Sequence, residues 1–65
     1  MRISVNGKSV EIGTTRLSET LTELGYTDDF IATAVNEEFV PSSARAGYEL
    51  NNGDRIEILS PMQGG

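Results

Sequence analysis

The 65-residue sequence contains no cysteine and no histidine. Without cysteine there is no disulfide to staple a small domain, no thiolate metal ligand and no thiol nucleophile. Without histidine the chain lacks the side chain that titrates near neutral pH, which is also the commonest metal ligand. A self-contained enzyme is therefore not expected, nor a metal site. No apolar run is long enough to span a bilayer. The opening MRISVNGK enters a strand pattern and lacks the apolar stretch of a signal peptide. The expectation is a cytoplasmic protein with no membrane contact. Basic residues are scarce as well, with Lys+Arg 5 against Asp+Glu 10 and a net charge of −5. Nucleic acid demands a basic footprint, so it is not an expected partner. An acidic surface suits solubility and docking onto a basic protein.

What the sequence does contain is a run of folding signals. A chain of this length makes one domain, which buries only about 60% of the surface its unfolded form exposes. Ile3 and Val5 alternate with Arg2 and Ser4, and Val10 and Ile12 alternate with Ser9 and Glu11. Between them stands Asn6-Gly7, suited to a two-residue turn with positive φ at both central positions. A β-hairpin over Arg2–Val5 and Lys8–Ile12 follows. Thr15 is an N-cap candidate, and Leu17, Leu21 and Leu24 form the apolar stripe of a helix stopped by Gly25. So short a helix needs a sheet to lie on.

Phe30 to Val35 reads as a central strand with an ambiguous register, and Asn36-Glu37-Glu38 turns the chain into Phe39-Val40, a short strand ended by Pro41. Ser42 to Gly47 is irregular, with room for a 3₁₀ turn. Asn51 to Asp54 makes a second tight turn before Arg55–Leu59, a last strand with Ile56 and Ile58 inward. Strand, strand, helix, then further strands is the plan of an α+β, ubiquitin-like β-grasp: a mixed sheet of four to five strands packed on one main helix. Its first and last strands would lie parallel at the centre, joined through a long crossover. Residues 1–59 make the domain and residues 60–65 a flexible C-terminal tail ending in Gly64-Gly65. A diglycine places a carboxylate on the thinnest arm a polypeptide can make, able to thread a narrow channel.

VNGK in the hairpin, LSETLTELG in the helix, IATAVNEEFVP in the middle and NNGDRIEILSPMQGG at the end together resemble the ThiS family, the sulfur carriers of thiamine thiazole biosynthesis. The resemblance covers essentially the whole chain. It implies that an adenylating, E1-like enzyme uses ATP and Mg²⁺ to convert the Gly65 carboxylate to an acyl-adenylate. A sulfur donor or sulfurtransferase then displaces AMP to leave a thiocarboxylate, and a thiazole synthase takes up the sulfur. No cofactor is bound by the carrier itself, which is expected to be a monomer when free. Gly65 carries the reacting group, Gly64 allows close approach, Gln63 and Met62 line a docking groove, and Pro61 stiffens the exit from the sheet or simply ends the strand.

Partner-docking residues are less defined. Phe39, Leu50 and Leu59 fit none of the inward sets and are candidates for an exposed apolar patch near the tail. Arg55 and Glu57, outward on the last strand, are candidates for polar docking contacts. Two other readings stay open: a sulfur carrier of another pathway, similar to the small subunit of molybdopterin synthase, and a ubiquitin-like modifier that forms isopeptide bonds to lysines.

Overall fold

The computed structural model describes residues 1–27 and 30–60. Five strands form one sheet: β1 (Arg2–Val5), β2 (Lys8–Glu11), β3 (Ala32–Val35), β4 (Glu38–Val40) and β5 (Arg55–Leu59). The order across it is β2-β1-β5-β3-β4. β1 and β5 are parallel, whereas β1–β2, β3–β4 and β3–β5 are antiparallel. The helix α1 (Leu17–Glu23) supplies the crossover that a parallel pair needs. The expected hairpin, helix and last strand stand, with the first and last strands adjacent at the centre.

One face of the sheet is dry. Ile3, Val5, Val35, Ile56 and Ile58 lie on it and pack with Leu17 and Leu21 of α1 in a single core. Leu24 is only partly buried at its margin. The expected N-cap at Thr15 is not formed: the helix begins at Leu17, with Arg16 in the cap position and no side-chain cap hydrogen bond. The orphan donor at this end is satisfied differently. Leu17 N–H donates to the Tyr48 carbonyl at 2.9 Å, and Leu50 N–H donates to the Thr15 carbonyl at 2.7 Å. An antiparallel bridge between Arg16 and Glu49 thus takes the place of a cap. At the other end Glu23 accepts hydrogen bonds from the Gly13 N–H at 3.1 Å and the Thr14 hydroxyl at 2.9 Å, tying the helix to the loop before it.

β3 begins at Ala32, so Phe30 stands outside the strand and is exposed. The register left open by the sequence is fixed by pairing. Thr33 and Val35 face inward, while Ala32 and Ala34 face outward opposite Leu59 and Glu57. Both hairpins turn through two residues with positive φ: Asn6 (50°) and Gly7 (86°), then Asn36 (51°) and Glu37 (71°). The irregular stretch is a 3₁₀ turn over Ser42–Gly47.

Candidate functional site

The function expected of this chain is served from the end of β5, so the question is what surrounds Leu59. Gly65, Gly64, Gln63, Met62 and Pro61 lie outside the described residues. The platform that precedes them is described in full. On one side of β5 the antiparallel ladder with β3 runs through to the Ala32–Leu59 pair. On the other side β1 turns away at Val5, and the backbone of β5 would lose its partner. The Asn6 side chain fills the gap. Its Oδ1 accepts from Ile58 N–H at 2.8 Å, and its Nδ2 donates to the Ile58 carbonyl at 3.1 Å. A side-chain amide has one donor and one acceptor in the geometry of a peptide group, so Asn6 extends the ladder by one more rung. Asparagine also tolerates the left-handed backbone required here. Asn36 repeats the device at the start of β5, accepting from Arg55 N–H at 3.0 Å.

The outward face around the end of β5 is apolar. Phe39 is 69% exposed and Leu59 71% exposed, against a core in which most large side chains are nearly inaccessible. Cross-strand pairing sets Ala34 between Phe39 and Glu57, and Ala32 beside Leu59. Because alanine leaves most of its slot on a pleated surface empty, the two large side chains and Glu57 rim a shallow cleft of about 90 Å³ floored by Ala32 and Ala34. Arg55 lies farther along the same face, its Nη2 4.0 Å from a Glu37 carboxylate oxygen and both side chains exposed. Exposed pairs of this kind are worth little to stability and leave the charges available.

The structure therefore brings Phe39, Glu57 and Leu59 together, with Arg55 nearby. It does not include Leu50, which is a correction: Leu50 is 4% exposed and belongs to the core. Its segment is drawn inward by the hydrogen bond from Leu50 N–H to Thr15, a long-range pairing with no periodic signature. The sequence also gave no role to Ala32, Ala34 or the Asn6 amide. A period-two Ala-x-Ala opposite larger residues was the available signal for the first two. The Asn6 contact, 52 residues away in the chain, had none.

A mixed sheet with parallel first and last strands, one helix across its inner face and a chain end leaving the central strand defines a β-grasp protein. The comparisons with known proteins place it further. The ThiS family model matches residues 3–65, and the chain belongs to that family. A crystal structure of the thiamine biosynthesis protein ThiS from Geobacter metallireducens is 28% identical, superposes with a TM-score of 0.84, and the match covers 100% of both chains. A solution NMR structure of a thiamine biosynthesis protein from the same organism is 26% identical, with a TM-score of 0.81, covering 100% of this chain and 88% of that one. No curated protein matches the sequence. No helix among the described residues is long and apolar enough to cross a membrane.

Proposed function

We propose that this chain is a sulfur carrier of thiamine biosynthesis, a recycled co-substrate that contributes no acid, base or metal of its own. The observation that carries the reading is the family match, which runs through the final Gly64-Gly65 and not merely over the folded domain. An adenylating partner activates the Gly65 carboxylate with ATP and Mg²⁺. The outer sulfur of a protein persulfide then displaces AMP to form an acyl disulfide, a thiol cleaves its S–S bond and is left as a disulfide, and the thiocarboxylate so released delivers sulfur to a thiazole synthase. Pro61, Met62, Gln63 and Gly64 present the reacting group. Phe39 and Leu59, with Glu57 and Arg55 beside them, form the surface on which a partner seats the domain. Exposed aromatic and aliphatic side chains around a cleft, rimmed by charge, are the usual make-up of an interface centre.

Intact-mass measurement after incubation with ATP, Mg²⁺, the cognate adenylating enzyme and a sulfur donor tests this. The expected result is replacement of one oxygen by sulfur at Gly65, followed by formation of thiazole phosphate when a thiazole synthase is added. Lysine-linked conjugates without that mass change would overturn the reading in favour of a protein modifier. Sulfur transfer that supports molybdopterin and not thiazole formation would assign the carrier to the other pathway.

A further inference from the structure

Arg45 is the one arginine that the fold buries, at 8% exposed. Its Nε donates to Thr33 Oγ1 at 3.2 Å and its Nη2 to the Ile31 carbonyl at 2.6 Å. A guanidinium has five N–H groups and cannot be neutralised in a protein. Two are thus used by neutral acceptors, and among the described residues no carboxylate pairs with the charge. The three exposed arginines are the reverse case: Arg2, Arg16 and Arg55 each stand at or within 4.0 Å of a glutamate. A buried cation is costly unless an anion or a full set of hydrogen bonds compensates it. The arginine that most needs a counter-charge is the one without a carboxylate partner among the described residues.

Arg45 also lines a cavity of about 300 Å³ between α1 and the 3₁₀ turn. Ser18 and Ser42 bring hydroxyl groups to its wall, the Thr22 hydroxyl there being spent on the Ser18 carbonyl at 3.2 Å; Leu21 and Ile31 bring apolar surface, and no acidic side chain is among the described residues lining it. Hydroxyls beside a guanidinium form a donor set for an oxyanion. The two buried aliphatic residues make a floor that inorganic ions do not use. The volume sits at the small end of the range for organic ligand sites.

We propose that this cavity is a binding site for a small organic anion, its carboxylate or phosphate head on Arg45 and its short apolar body on Leu21 and Ile31. The site is separate from the tail chemistry and does not depend on it. It does adjoin the platform. Ile31, whose carbonyl holds Arg45, immediately precedes Ala32, the partner of Leu59 at the end of β5. Occupancy would therefore stiffen the strand end from which the tail departs.

The test is a two-dimensional ¹⁵N NMR titration of the full chain with benzoate, phenyl phosphate and inorganic phosphate, at ionic strength held constant with sodium chloride. The expected result is saturable shifts at Ser18, Leu21, Thr22, Ile31, Arg45 and Ala46, with a midpoint on the order of 1 mM for at least one organic anion. Inorganic phosphate should bind at least about tenfold more weakly. The tighter of benzoate and phenyl phosphate identifies the preferred head group. Arg45 also braces the fold, so the variant of choice is Ser42→Glu at an exposed position of the cavity wall. A tethered carboxylate should weaken benzoate and phenyl phosphate about tenfold or more and raise Tm by a few degrees. Non-saturating shifts spread over the whole surface, inorganic phosphate binding as tightly as the organic anions, or unaltered binding by Ser42→Glu would each overturn the proposal.

Discussion

The two halves of the outward sheet face are built from the same backbone and carry opposite surfaces. On β1 and β2, Arg2 lies across from Glu11 with an ion pair of 2.9 Å, and Ser4 lies across from Ser9. On β3, β4 and the end of β5, the outward residues are Ala32, Ala34, Phe39 and Leu59, with Glu57 as the one charge among them. The polar half satisfies itself and solvates freely. The apolar half leaves two large side chains uncovered around the end of β5, which folding alone does not require. A domain that only needed to be stable would have no use for this asymmetry, whereas a carrier that must be held while its tail is handled does.

The comparison breaks most visibly if the apolar half loses its anchors. Phe39→Asp or Leu59→Asp should weaken binding to the adenylating partner at least about tenfold, measured by calorimetry, because hot spots concentrate in buried aromatic and aliphatic anchors. Both side chains are exposed, so unfolding free energy should change by no more than about 0.5 kcal/mol. Ser4→Asp in the polar half should leave binding within about twofold. Equal losses from both halves would abolish the distinction.

Next in size is the seam between them. Asn6→Ala removes both side-chain bonds to Ile58 and the tolerance for positive φ, and should cost about 1–2 kcal/mol in denaturant unfolding. Hydrogen exchange should accelerate at Ile58 in particular. The turns sharpen the contrast further. The polar half uses Asn6-Gly7, whereas the apolar half places Glu37 at φ 71°, a conformation that suits glycine. Glu37→Gly should stabilise the domain by about 0.5–1 kcal/mol, read from the shift in Tm.

The smallest effect lies off the sheet. The Gly13 N–H, and secondarily the Thr14 hydroxyl, hold the Glu23 carboxyl below its ordinary pKa. A depressed folded-state pKa contributes stability above the unfolded value that is lost as pH falls through the folded one. Glu23→Gln should therefore lower stability slightly at neutral pH and converge with the parent chain in acid, which flattens the acid limb of the stability profile, and should leave partner binding unchanged.

The β-grasp order was legible because each of its signals is local. Asn6-Gly7 turns a hairpin, leucines at i, i+4 and i+7 make a helix, and alternation in Arg55–Leu59 makes a strand. What escaped was decided by contacts distant in sequence. The helix start depends on Tyr48, and the burial of Leu50 depends on Thr15. Arg45 carried no sign at all, since a lone arginine in a polar loop reads as solvated until Thr33 and Ile31 close over it.

The position of β5 has a mechanical consequence. Load along the axis of β5 is shared by β1 and Asn6 on one side and β3 on the other. Load applied in that direction falls on the hydrogen bonds of both ladders at once, in shear, and does not peel them open one by one. A domain so arranged holds its last strand from both sides against tension along the strand.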